Sequence, residues 1–197
     1  MANKVKYGLS NVYYSVATET LDTETGEYIY SYGTPKALKG AVNLSMEAQG
    51  DQSTFRADNV DYFVTSSNNG YEGDLELALV TDEFKTDCLG FETDANGIVY
   101  EKNDAKPKAF ALLFQFEGDQ NARRHIFYNC IASRPSVASQ TTEDTIEPVT
   151  DTLSITATAR LNDGIVKAST AEGDNTSTQY NTWFTQVYVP TPQTSGE

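Results

Sequence analysis

The chain has 197 residues and a formal net charge of −14, from 28 acids against 14 bases. That balance excludes a protein that grips nucleic acid through its phosphates, because such binding rests on Lys and Arg. A hydrophobic fraction of 39% is low for a compact domain, yet 12 Tyr and 9 Phe exclude a disordered chain, which would be poor in rings.

Residues 10–17 and 27–32 carry apolar and aromatic side chains at alternate positions, Tyr28, Tyr30 and Tyr32 among them. Side chains alternate faces along a strand, so the pattern predicts a hairpin around the polar loop 18–26. A strand over about 40–48 follows, with Val42, Leu44 and Met46 on one face. Phe55 and the run Tyr62 to Val64 mark two short strands about a turn at Asp58-Asn59. Asn68-Asn69-Gly70 predicts another tight hairpin turn, since Asn and Gly tolerate positive φ. Leu75, Leu77 and Leu79 then alternate with Glu76 and Ala78.

The period changes at Thr81, which has the chemistry of a helix N-cap, with Asp82 and Glu83 suited to the positive end of the helix dipole. Phe84 and Cys88 share a face and Gly90 fits a left-handed stop, so a helix is predicted over 82–89. Glu92-x-Asp94-x-Asn96-Gly97 resembles a calcium loop, but Asn103 stands where a bidentate Glu is needed, and Asn96-Gly97 reads as a hairpin turn. Residues 108–117 and 124–133 predict a long hairpin around 118–121. Residues 136–147 form a Ser/Thr/Glu-rich connector, and Leu153, Ile155 and Ala157 alternate with hydroxyl residues in a further strand. Tyr180, Trp183, Phe184 and Val187 fall at i, i+3, i+4 and i+7, predicting a helix over 177–187. The whole reads as mainly β, an antiparallel β-sandwich or barrel in one domain, with short flanking helices at 82–89 and 177–187.

Nothing in the chain has the pattern of a reactive centre. His125 is the only histidine; it follows Arg123 and Arg124 and alternates with Ile126 and Tyr128, which favours an ordinary strand residue over a general base. There is no Gly-x-Ser-x-Gly elbow and no Gly-rich phosphate loop. The carboxylate pairs Asp58/Asp61, Asp74/Glu76 and Asp82/Glu83 are expected to be surface charges, although Asp74 and Glu76 point to one side of their strand. Arg123 and Arg124 are expected to pair with acids of a neighbouring strand or subunit. Cys88 and Cys130 lack metal-type spacing, no stretch approaches the roughly 20 apolar residues of a membrane span, and the first residues lack the apolar centre of a secretion signal. Reduced thiols, a cytoplasmic place of folding and no metal or cofactor are the resulting expectations.

In this order, KYGLSNVYY (residues 6–14), ADN (57–59), YEGDLEL (71–77), DCLG (87–90), FALLFQFEGD (110–119), the run of FYNC and RPS within 124–136, TEDTIEP with DTL (142–153) and the closing WF with VY-x-P resemble the major tail proteins of siphophages, the family typified by phage phi13. The resemblance implies a tail tube protein: β-sandwich subunits with a flanking helix that assemble into rings, normally hexameric, stacked into a hollow tube through which double-stranded DNA leaves the capsid. It further implies a virion location, assembly in the host cytoplasm, and a tape-measure protein and tail terminator or tip proteins as partners. An added immunoglobulin-like domain, present in some tail proteins, is not expected here.

The residues fit that implication. Residues 61–105 hold eleven acids against two bases, and an acidic lining would repel phosphates so that a genome slides without sticking. Glu72, Asp74 and Glu76 are the candidates for that lining. The loop 18–26, the segment 48–60 and the connector 136–147 are candidates for contacts between rings. Two other readings stand beside it: a monomeric β-sandwich that binds carbohydrate or protein through its tyrosines, and an enzyme acting through paired carboxylates.

Overall fold

The computed structural model describes residues 7–118, 122–139, 141 and 148–191. The first half builds β1 (Leu9–Leu21), β2 (Tyr28–Tyr32), β3 (Lys36–Ala37), β4 (Ala41–Gln49), β5 (Gln52–Ala57), β6 (Val60–Ser66) and β7 (Gly70–Leu77). Helix α1 (Asp82–Cys88), the small pair β8 (Glu92–Thr93) and β9 (Val99–Tyr100), and the strands β10 (Phe110–Phe116) and β11 (Arg124–Ala132) follow. Then come β12 (Asp151–Thr158), β13 (Lys167–Ser169) and α2 (Thr178–Thr182). Strand makes up 46% and helix 7%, so the mainly β expectation holds.

Nine strands join in one sheet, ordered β2-β1-β10-β11-β12-β7-β4, with β3 beside β1 and β13 beside β11. β3 lies on the far side of β1 from β10, because Tyr13 pairs with both Ala37 and Leu113. Only residues 38–40 separate β3 from β4 at the opposite edge. A linker of that length spans little more than about 10 Å even when extended. The sheet must therefore curl until its two edges come close, and the main core lies inside the curl.

Alternation fills that core. Val12 and Tyr14 of β1, Leu75 and Leu77 of β7, and Leu153 and Ile155 of β12 all point inward and are buried. Helix α1 adds Phe84 and Cys88. The Phe84 ring meets Tyr14 and Phe110 edge-on, with centroids 5.0 and 5.4 Å away. Thr81 starts the helix as predicted, its hydroxyl accepting the Phe84 N–H at 3.3 Å. Gly90, at φ +79°, stops it where a Cβ would stand 2.6 Å from the Lys106 carbonyl oxygen. The Tyr14 hydroxyl donates to Asp87 at 3.0 Å, and Lys36 reaches the same carboxylate at 2.6 Å and Glu83 at 2.9 Å. Burial, together with the bond to Asp87, holds the Tyr14 phenol far above its ordinary pKa.

β10 has a second duty that simple alternation does not announce. Every residue from Phe110 to Gln115 is buried. Phe110, Leu112 and Phe114 belong to the main core, whereas Ala111 and Leu113 belong to a second one on the opposite face, with Ile126 and Tyr128 of β11. That second core is roofed by the C-terminal strap, whose Trp183 and Val187 are buried in it. The apolar stripe predicted there is real, but the helix ends at Thr182 rather than near 187. Asn and Thr are poor helix formers, and the packing of Trp183, Phe184 and Val187 holds the rest of the strap without a helix.

Arg124 fastens the strap. Its guanidinium lies 3.7 Å from the Tyr180 ring centroid and 4.8 Å from that of Phe184. It donates to the Tyr180 carbonyl oxygen and, at 3.3 Å, to Gln115 Oε1. The Tyr128 hydroxyl donates to the Tyr188 carbonyl at 2.8 Å, and the Tyr13 ring stacks on Phe184 at 5.0 Å. A cation over an aromatic face is worth about 0.5–2 kcal/mol. Arg124→Ala is therefore expected to lower unfolding stability by about 1–2 kcal/mol. Because Trp183 is the sole tryptophan, acrylamide quenching of its fluorescence should rise in the same variant while the β signal in circular dichroism stays unchanged.

Candidate functional site

Two surfaces stand apart from the ordinary polar exterior, and one ribbon makes both. β4 and β7 pair antiparallel from Ala41↔Leu77 to Gln49↔Gly70, and β12 pairs on the other side of β7. The registers bring the outward side chains into rows: Asn43–Glu76–Thr152, Ser45–Asp74–Ser154 and Glu47–Glu72–Thr156. Their inward neighbours are Leu75 and Leu77, Leu153, Ile155 and Ala157, all in the core. Glu72 and Asp74 are exposed and Glu76 is half-buried. The three predicted lining residues thus share one face, held by short bonds: Ser154 Oγ donates to Asp74 at 2.7 Å and Thr150 Oγ1 to Glu76 at 2.5 Å.

Glu47, which was not among the predicted lining residues, completes the face. Its signal was present in the alternation of Asn43, Ser45 and Glu47 against Leu44 and Met46. The three rows hold four carboxylates, hydroxyls and an amide, and no base. Among the described residues no group of three or more His, Cys, Asp or Glu is arranged to hold a metal ion. The face is an array of fixed negative charge and hydroxyl groups.

The second surface is the continuation of the same ribbon. Asn68-Asn69-Gly70 does not reverse the chain as predicted. The ladder runs on past it, with Asn69 N–H donating to Gln49 O and Ser67 N–H to Asp51 O, both at 2.9 Å. β5 and β6 then pair from Gln52↔Ser66 to Ala57↔Val60. Gly70, at φ +96°, marks the root of this arm, where a Cβ would meet the Ala157 carbonyl oxygen at 2.1 Å. The real reversal is at Asp58 and Asn59, both at positive φ as a primed turn demands. Residues 52–56 and 60–66 of the arm are all exposed, among them Phe55 at 62%, Tyr62 at 73% and Phe63 at 58%, with Val60 and Val64.

The remaining candidates fall to structural roles. Arg56 pairs with Asp61 at 2.6 Å, Lys85 with Asp82 at 2.9 Å and Lys36 with Glu83 at 2.9 Å, so two of the suspected carboxylate pairs are split among cations. His125 stacks on the Phe114 ring at 5.3 Å. Asp94 accepts the N–H groups of Asn96 and Ile98, both at 2.8 Å; these bonds hold its carboxyl below its ordinary pKa and build the turn. Arg123 donates to Thr170 O at 3.2 Å and Ser169 Oγ at 3.0 Å. Neither it nor Arg124 makes an ion pair with another described residue. Cys88 and Cys130 are buried free thiols, and burial pushes both pKa values up, so neither is primed as a nucleophile. No described helix is long and apolar enough to cross a membrane. The candidate connector 136–147 lies mostly outside the described residues, as do 119–121 of the predicted turn at 118–121.

A mainly antiparallel β subunit with no reactive centre among its described residues, one charged sheet face and one aromatic arm has the makings of a building block. The family model for phage tail tube protein matches residues 2–188. The chain belongs to that family and is a structural tail tube protein, a component of the virion tail. No curated protein matches it.

The exposure of the arm sets a contrast that can be measured on the isolated subunit. Phe63→Ser is expected to change urea unfolding stability by no more than about 0.5 kcal/mol, because the ring contributes little to the fold. Leu75→Ala, a few residues along the same ribbon but fully buried, is expected to cost about 2–5 kcal/mol.

Proposed function

We propose that this chain forms closed rings, hexameric by analogy with its family, that stack into the tube of a long non-contractile tail and conduct double-stranded DNA during ejection. The chain acts in this reading as a single tail-tube domain, assembled in the host cytoplasm around a tape-measure protein and capped by terminator and tip proteins. It has no catalytic task. The observation that carries the proposal is the outward face of β4, β7 and β12, with Glu47, Glu72, Asp74 and Glu76 in register and no base among them.

A channel for DNA must not hold DNA. The duplex carries one negative charge per about 1.7 Å of axis, so cations on the wall would bind it and retard its exit. Carboxylates repel it within a Debye length of about 8–10 Å, and the interspersed Ser and Thr hydroxyls keep the wall hydrated. Turned inward, the β4–β7–β12 face supplies such a wall. β4 is an edge of the sheet, and pairing with an edge of the next subunit would close the ring and leave no strand unprotected. Arg123 offers a cation to acids across a subunit boundary; Arg124 is occupied by the strap of its own chain. Connections between rings fall to the loop 18–26, the arm that begins within 48–60 and the connector 136–147.

The acidic wall also speaks against the sugar-binding alternative, which needs an exposed aromatic platform on a monomer. The exposed aromatics here sit on a two-stranded ribbon. Electron microscopy of concentrated protein is expected to show annuli and hollow tubes; persistent monomers, even with the other tail proteins added, would sink the reading. Tubes built from the triple variant Glu72→Lys, Asp74→Lys, Glu76→Lys are expected to retain short duplex DNA on sedimentation at low salt and release it as salt rises. Unsubstituted tubes should let it go at every salt concentration. Equal retention by both would place these three acids away from the bore.

A further inference from the structure

The curled sheet has a mouth. Between β4 and β11 opens a cavity of about 750 Å³ whose walls are Leu44, Met46, Tyr71, Phe114, Phe116 and Phe127. The size lies within the range of sites that enclose a few side chains or a small ligand, about 300–1,000 Å³. Arg123, His125 and Lys167 stand in the same lining, the Lys167 ammonium 4.3 Å from the Tyr71 ring centroid. Among the described lining residues there is no carboxylate, in a chain where acids outnumber bases 28 to 14. This is an aromatic, cationic socket on an otherwise acidic molecule.

The arm has the complementary chemistry. Phe55 and Phe63 are directly opposed across its ladder, so their rings project together from one face. Asp51, Asp58 and Asp61 lie on or beside it against the single base Arg56, which is already paired with Asp61. An isolated two-stranded ribbon is marginal in water, and exposed large apolar groups concentrated on it mark a docking element. The arm is directed away from the sheet of its own chain, because the backbone bonds Asn69 N–H to Gln49 O and Ser67 N–H to Asp51 O carry the ribbon on from β4 and β7 into β5 and β6. Its receiver must be a second molecule.

We propose that the Phe55–Phe63 face of the β5–β6 arm seats in the socket of another copy of this chain, with the acids of the arm facing Arg123 and Lys167 at the rim. The inference deepens the tube reading and rests on it. Each copy carries one arm and one socket at different places, so the contact is heterologous and every docked copy still offers the next site. Such a joint joins more than two copies, closing into a ring or running on from ring to ring according to the rotation between them, and a tube needs both. The sum of the contact is a buried aromatic pair ringed by charge pairs, the arrangement in which a few residues carry most of the binding energy.

The test uses tubes assembled from chain carrying Phe63→p-benzoylphenylalanine, doped into an excess of isotope-labelled, otherwise unsubstituted chain. After irradiation, mass spectrometry is expected to join position 63 to residues 44–46, 71, 114–116 or 167–169 of a labelled copy. Lys167→Glu in the labelled copy, an exposed position, should lower that cross-link by about tenfold through like-charge repulsion at the rim. Cross-links confined to other segments, in tubes that form normally, would overturn the docking and leave the tube reading standing. Failure of unsubstituted chain to build annuli or tubes would overturn both. Should the bulkier group at 63 exclude its copy from the tube, the same probe at position 55 reads the same face of the arm and decides the matter.

Discussion

Both faces of β10 are buried, and most of the subunit can be understood as what it takes to cover them. On one side Phe110, Leu112 and Phe114 require a closed core, which the curled sheet and α1 supply. On the other, Ala111 and Leu113 require a roof, which the strap from α2 to Tyr188 supplies. The strap is short and its second half is not helical, so its own propensity adds little. Side-chain packing and the Arg124 clamp hold it down. A strand buried on both faces in a mainly antiparallel sheet leaves little freedom for rearrangement, and that rigidity is a useful property in a brick.

With the centre fixed, variation is left to the edge, and there one ribbon does two things. Between Ala41 and Gln49, β4 is part of the wall; past Gly50 the same chain becomes the arm. The returning strand passes from arm to wall at Gly70, where backbone approaches backbone too closely for any side chain. A force on the arm is therefore delivered straight into the strands that carry Glu47, Glu72, Asp74 and Glu76. A connection between copies made by the arm would be stiff rather than tethered, because the Asn69–Gln49 and Ser67–Asp51 backbone bonds bridge the short junction between it and the sheet.

Much of this was legible in the residues. Period-two alternation located β4, β7, β10, β11 and β12, and the capping chemistry of Thr81 with Gly90 located α1 to within a residue. Glu72, Asp74 and Glu76 were placed on one face because strand geometry leaves no choice. Three things were not legible. The Asn68-Asn69-Gly70 signal is a true positive-φ site, but positive φ serves a kink at a ribbon's root as well as a reversal, and local chemistry does not distinguish them. β3 and β13, of two and three residues, exist through pairing with β1 and β11 rather than through any pattern of their own. The second face of β10 depends on a strap seventy residues later in the chain, a contact no local window contains. The same strap brings Tyr180 and Phe184 to Arg124, whose own sequence neighbours say nothing of them.

The distribution of charge closes the argument. Identical copies of a chain at −14 repel one another at every surface where acids meet acids, so assembly is possible only if like charge is turned toward solvent and contacts are made elsewhere. The subunit separates these duties in space. Four of its carboxylates stand in register on the outward face of β4, β7 and β12, where water, or a bore, can solvate them. The socket gathers Arg123 and Lys167 around aromatic walls with no acid among its described lining residues, and the arm presents exposed rings. A purely acidic exterior would keep the copies apart, and a neutral one would let DNA and protein stick alike. In the proposed tube, dividing the surface into a repelling wall and an adhesive joint would satisfy both demands with one short ribbon of sheet.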